Sequence, residues 1–379
     1  MILSSERHLF DIPRDICYLN AAYMTPLLKA QVRAGEDALK RSSHPWEIGD
    51  GDFFDTAADV CRLGAQIMNV AADDVAIVPS AGYGISTAAR NIPLTKGQVV
   101  LVLEEEFPSN YYPWSEAVAK TGAEVVAVQK PAGDDWTNAI MEVIQQLDGR
   151  LAVVSIANVH WSSGAVIDLK KVSRACKEQG AALVLDLSQS LGAMPIDIAD
   201  IDPDFMVAAG YKWLLAPYSI SLLYVAPRWQ GGVPLEGSWI TREGSRDFSR
   251  LVNYRDTFEP GARRFDMGER ANHILAPIFK VGLQQLLSWG IENIADTLGA
   301  VNGRLAEGLM ERGFHPIAQE FRCQHILGVR VGERGPQLLE LLKKANVSVS
   351  LRGDLLRVAP HIWTDEEDEE AFLSVLSSA

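Results

Sequence analysis

At 379 residues the chain is longer than one hydrophobic core usually organises, so two domains are expected. An apolar fraction of 47% suits a globular protein, and a formal net charge of −14 argues against a nucleic-acid binder. No apolar run reaches membrane-spanning length, residues 1–15 lack the apolar centre of a signal peptide, and Cys17, Cys61, Cys176 and Cys323 show no CxxC spacing, so the expectation is a reduced, cytoplasmic protein without a metal site.

In chain order, Tyr18–Ala22 is a short, partly apolar segment in which Asn20 reads as a turn residue. Thr25-Pro26 reads as a helix start, since Thr can cap and Pro fits the first turn. Asp74–Ser80 predicts a strand, and Ala81-Gly82-Tyr83-Gly84 opens a helical stretch to Arg90. Small residues at such a turn leave backbone N–H groups free with a helix N-terminus behind them, which makes an anion site. The Gly82-x-Gly84 pair is a weak dinucleotide signal, because Thr87 stands where a third glycine belongs. Val99–Leu103 predicts the next strand, ended by Glu104, Glu105 and Glu106 and then Phe107-Pro108. Leu151–Ala157 predicts another, followed by Asn158-Val159-His160-Trp161, where the His and the Trp fit core and loop positions equally.

The densest chemistry lies between Leu183 and Val225. Leu183-Val184-Leu185 is a buried-strand pattern ending in Asp186, a carboxylate that is costly there unless it meets a cation or a ligand. Ser188, Gln189, Gly192 and Pro195 then mark a loop. Phe205–Ala209 predicts a strand leading through Gly210 to Tyr211-Lys212-Trp213, and Ile220–Val225 predicts one more. Lys212 follows Asp186 by 26 residues. Pyridoxal phosphate chemistry requires this arrangement: the lysine captures the aldehyde, and the acid keeps the pyridine nitrogen protonated. Singly, the two read as a turn acid and a solvated lysine. Together with the anion loop they favour an enzyme.

Apolar runs near 75–79, 99–103, 123–128, 151–156, 183–186, 205–209 and 220–225 alternate with helical patterns, which predicts a mostly parallel sheet with helices on both faces. Ligands of such sheets lie beyond the strands' carboxyl ends, and Ser80, Phe107, Trp161 and Asp186 all follow such ends. After Pro227 the chain is loop-rich to Gly244, and Arg263–Asn272 precedes a helical pattern on Leu275, Ile278, Phe279, Leu283 and Leu286. From about Leu298 helix and strand patterns mix, as in a smaller domain. Within Leu351–His361, Arg357 sits in an apolar strand pattern where an unpaired charge is expensive, and Arg352 reads as solvated.

The stretches Asp186-Leu187-Ser188-Gln189-Ser190-Leu191-Gly192 and Gly210-Tyr211-Lys212-Trp213-Leu214 resemble the class V aminotransferase family, which includes cysteine desulfurases, selenocysteine lyases, kynureninases and isopenicillin N epimerase-like proteins. The resemblance covers nearly the whole chain. It implies an α/β, fold-type-I homodimer carrying pyridoxal 5'-phosphate. The large domain would span 20–255 on a mostly parallel seven-stranded sheet. The smaller α+β domain would combine 1–19 and 256–379, with an N-terminal arm and an interdomain helix.

In that resemblance Lys212 holds the cofactor, Asp186 pairs with its ring nitrogen, and Gln189 bonds its phenolic oxygen. Ser80, Ala81, Gly82, Tyr83 and Tyr211 form the phosphate cradle. Phe107 stacks on the ring, where relatives often have a His, and cannot carry a proton. Trp161 is a pocket wall, and Asn20 lies at the mouth. The Gly268 segment reaches the partner's phosphate, with Glu269 where most relatives have Thr. Arg357 binds the carboxylate of an amino-acid substrate through its planar fork. A desulfurase needs a cysteine near that arginine, and Val347–Trp363 has none. Desulfurase chemistry therefore ranks low, and the resemblance implies transamination as the default reaction, ahead of kynureninase-type lyase or epimerase chemistry, with a non-catalytic cofactor-binding role remote.

Overall fold

Parallel strands sandwiched between helices are buried on both faces, so their sequences run as continuous apolar stretches rather than alternating ones. The seven runs assemble on that principle. The computed structural model describes residues 1–377. It joins β1 (Val75–Val78), β2 (Val99–Leu103), β3 (Glu124–Val128), β4 (Leu151–Ile156), β5 (Ala182–Asp186), β6 (Phe205–Ala209) and β7 (Ser221–Val225) into one sheet. The strand order is β1-β7-β6-β5-β4-β2-β3. Only β7 runs antiparallel to its neighbours. Every residue of β1, β2, β6 and β7 is buried, whereas the edge strand β3 keeps Glu124 and Ala127 exposed.

Helices cover both faces. Ala81–Asn91 lies against β6 and β7 so closely that a Cβ on Gly84 would stand 2.6 Å from Val207. On the other face, helix Leu275–Trp289 packs on Lys29–Ser42 and Asp55–Met68. The carboxyl ends of β1, β2, β4, β5 and β6 open toward one side, where β5 ends in Asp186 and the segments that follow the others carry Ser80, Phe107, Trp161 and Lys212.

A second unit borders that side. Its antiparallel sheet has the order Ser350–Arg352, Leu355–Val358, Leu327–Arg330, His315–Pro316. Helices Ile291–Glu311, Gly335–Lys344 and Glu366–Leu376 enclose a core with Leu305, Leu327, Leu356 and Phe372. The N-terminal segment joins this unit: Cys17–Tyr18 pairs in parallel with Val347–Ser348, and Asn20 bridges to Ala359. Residues 262–286 instead contribute Ala262, Phe265, Phe279, Leu283 and Leu286 to cores around the large sheet. Gly290, at φ 79°, separates helix Leu275–Trp289 from Ile291–Glu311. Among the described residues no helix is long and apolar enough to cross a membrane.

Candidate active site

A cleft of about 300 Å³ lies at the carboxyl ends of the strands, lined in part by Ser80, Phe107, Trp161, Asp186, Gln189 and Lys212. Asp186 ends β5, buried, with the Ser188 N–H donating to its Oδ1 at 3.0 Å. The Ser188 hydroxyl accepts the Ala209 N–H at 2.8 Å, which ties the loop after β5 to the end of β6 and holds Asp186 opposite the Lys212 segment. The Lys212 backbone is fixed in turn by Thr25, whose hydroxyl donates to its carbonyl at 2.6 Å.

Among the described residues the Lys212 amine has no hydrogen-bond or ion-pair partner, and it stands 5.3 Å from the Phe107 ring centre and 5.6 Å from that of Tyr211. Burial pulls its pKa from 10.5 down to about 8; Asp186 opposes the fall, and Arg357 and Arg352 add to it. A lysine in this state is a base and a nucleophile near neutral pH.

The other cleft walls come from three turns. Ser80 caps helix Ala81–Asn91, accepting the Tyr83 N–H at 3.2 Å, so Ser80 and Ala81 place a helix N-terminus in the cleft. Phe107 packs edge-on against Trp161 at 5.7 Å, and the Trp161 indole N–H donates to the Glu105 carbonyl at 2.8 Å. Gln189 is held at both ends, donating to the Ala22 carbonyl and accepting from the Trp213 indole, each at 3.0 Å. Among the described residues its remaining N–H has no acceptor.

Not every residue of interest faces this space. Tyr83 turns its hydroxyl to Glu236, and the Gly268 N–H donates to the same carboxylate at 2.9 Å; neither residue, nor Gly82, lines the cleft. Asn20 is buried, accepting from the Ser350 hydroxyl at 2.8 Å. Arg357 is 2% exposed on Leu355–Val358, donates from Nη1 to the Trp161 carbonyl at 2.7 Å, and has a buried Nε without a partner. Arg352, read as solvated, lies over Trp161 with its guanidinium 5.9 Å from the ring centre. His160, which the sequence left open between core and site, is core: it stacks on Trp136 at 4.9 Å, and burial lowers its pKa to about 4.

Glu106 is one of the cleft residues that sequence reasoning passed over, with Ser109, Tyr218 and Ser219. The Glu106 Oε1 accepts the Phe107 N–H at 2.9 Å, its carboxyl is buried beside Asn110, and burial raises its pKa to about 8. The signal available was an acidic run that ends a buried strand and abuts a proline-started helix.

These groups fit pyridoxal phosphate. A free amine faces a buried acid, an aromatic ring stands beside both, and backbone donors at a helix N-terminus suit a phosphate. No cysteine lines the cleft; Cys323 is buried with its sulfur accepting the Ile326 N–H at 3.3 Å, and burial pushes its pKa up to about 11.

Comparison with known proteins gives a consistent result. The family model described as aminotransferase class-V matches residues 55–351. The uncharacterized aminotransferase YcbU of Bacillus subtilis is 24% identical over 305 residues, covering 80% of this chain and 78% of that protein. A kynureninase of Deinococcus radiodurans is 26% identical over 356 residues, covering 89% and 80%. The apo structure of a cysteine desulfurase from Thermococcus onnurineus NA1 superposes with a TM-score of 0.86 at 17% identity, covering 100% of this chain and 99% of that one, a likeness of fold.

Proposed function

The chain belongs to the class V aminotransferase family, whose cofactor is pyridoxal phosphate, and from that premise we propose that it is a transaminase of amino acids with Lys212 as its catalytic residue. The observation that carries this reading is the buried, unpartnered Lys212 amine facing Asp186 in the cleft. When bound, pyridoxal phosphate supplies an electron sink for the bond broken at the substrate's α-carbon. Lys212 fixes the cofactor and then moves the α-proton with its neutral amine. Asp186 holds a proton on the ring nitrogen, Phe107 covers the ring, and Gln189 donates to the ring oxygen. Ser80, Ala81 and Tyr211 hold the phosphate, and Arg357 takes the substrate carboxylate on its free Nε edge.

A lyase acting on the same amino acids is the second reading, favoured by the kynureninase likeness. The absence of cysteine from the cleft lining weighs against a lyase that needs an enzyme thiol. The two readings differ in one requirement. A transaminase turns over only with a 2-oxo acid acceptor, whereas a lyase releases product from the amino acid alone. Incubating the holoenzyme with an amino-acid panel, with and without 2-oxo acids, should give product only with the acceptor; release without it would replace transamination by lyase chemistry. Borohydride should fix the cofactor onto Lys212, read by peptide mass, and Lys212→Ala should abolish both that label and turnover.

The working unit in this reading is a homodimer in which the Gly268 segment serves the partner's cleft, as its position outside its own cleft allows. A fully active monomer by light scattering would refute it.

A further inference from the structure

Strand pairing sets two arginines side by side on the small sheet. In the antiparallel pair of Ser350–Arg352 with Leu355–Val358, Ser350 faces Arg357 and Arg352 faces Leu355. Residues two apart on a strand share a face, so both arginines project from the same side of the small sheet. That side meets Trp161, a wall of the Lys212 cleft. Arg357 donates to the Trp161 carbonyl, and the Arg352 guanidinium lies over its ring.

Both cations act on the Lys212 amine, and Arg352 also acts on Arg357. Their own partners are weak for such a crowded place. Arg352 donates to the Leu351 carbonyl at 2.9 Å, Arg357 has only the Trp161 carbonyl, and among the described residues neither forms an ion pair. Like charges held together without an acid destabilise a fold unless a ligand neutralises them. Within the cleft wall the nearby acids do not do so. Asp186 faces Lys212 from β5, and Glu106 is pushed toward its protonated form by burial. A substrate α-carboxylate neutralises one guanidinium and leaves the other.

Resting on the amino-acid reading above, we infer that the substrate carries a second anionic group on its side chain, a carboxylate in the simplest case, which Arg352 binds beside Trp161 while Arg357 binds the α-carboxylate. The substrate class is then the dicarboxylic amino acids. Arg352 is a specificity-determining residue, and its half-exposed place above an aromatic wall lets the side-chain acid dock without full burial.

Two measurements test this. In turnover, the holoenzyme should prefer aspartate or glutamate over alanine and leucine by about tenfold to a hundredfold in kcat/KM, and Arg352→Gln should erase most of that preference. In binding, calorimetry on the holoenzyme should show succinate held at least tenfold more tightly than propionate, with the gap closed by R352Q. Unchanged cofactor absorbance in R352Q verifies that the site is still folded; if it is not, R352K, which keeps a charge but loses the planar fork, should weaken succinate and spare propionate. Equal losses for alanine and aspartate in R352Q would make Arg352 a second partner of the α-carboxylate and overturn the inference. So would equal binding of succinate and propionate, or of neither. The calorimetry decides the matter even if no amino acid is turned over, so failure of the transaminase reading is separable from failure of this one.

Discussion

Lys212 and Glu106 are perturbed in opposite electrical senses by one cause, burial that disfavours whichever form is charged. For Lys212 the consequence is a neutral amine at accessible pH. Capture of pyridoxal phosphate by the cofactor-free protein should therefore rise with pH around a midpoint near 8 rather than 10.5. Arg357→Leu removes a cation that depresses that pKa, so the midpoint should move up; stopped-flow absorbance across pH reads both. For Glu106 the folded carboxyl at about 8 binds its proton more tightly than the unfolded one at 4.5. The stability this gives is complete below pH 4.5 and is lost as pH rises to 8. Glu106→Gln should flatten that decline and leave the cofactor-free protein more stable at pH 8 by on the order of 2–3 kcal/mol in urea denaturation. A parallel pH profile for both proteins would show that Glu106 ionises normally.

Segments between the strands do the positioning. Gly192, at φ 98°, lies in the turn after β5, where a Cβ would collide with the Trp213 carbonyl oxygen. The turn and the Lys212 segment are therefore pressed together, and only glycine permits the contact. Gly192→Ala should cost about 2 kcal/mol or more, and should weaken cofactor retention because Trp213 carries Lys212 with it. Retention at the wild-type level, measured after dialysis, would mean the turn does not hold the lysine. At the sheet edge, Asp266 accepts the Ile77 N–H at 2.7 Å and pairs with buried Arg270, while the Met267 N–H donates to the Ile77 carbonyl at 2.9 Å. This covers an edge strand that would otherwise expose its hydrogen-bonding groups. Asp266→Ala leaves Arg270 buried without its acid and should cost about 3–5 kcal/mol, a drop readable in thermal denaturation.

Across the whole molecule, the cleft is built from residues far apart in sequence, with Ser80, Phe107, Trp161, Asp186 and Lys212 in its lining, Thr25 fixing the Lys212 backbone and Arg357 of the small unit bonded to the Trp161 carbonyl. The thiols stand outside this arrangement, so Cys323→Ser should leave turnover within about twofold, read by steady-state kinetics. Loss of sulfur release from cysteine in that variant would instead point to thiol-dependent lyase chemistry. The seven strands were legible because each is a local apolar run that a parallel, two-sided sheet demands. The Asp186–Lys212 spacing was legible because the chemistry fixes the two residue types at neighbouring strand ends. Orientation was not legible. Tyr83 and Gly268 converge on Glu236, His160 turns into Trp136, and Arg352 lies over Trp161 rather than in water. Each depends on a partner at least 24 residues away, and sequence periodicity carries no information about which of two faces such a partner will occupy. The sequence by itself determined the sheet, the family and its cofactor, and it singled out Asp186 and Lys212, which the fold brings to one cleft. Tertiary packing alone decided which nearby side chains face the cleft, because burial and like-charge crowding arise only when distant segments close around it.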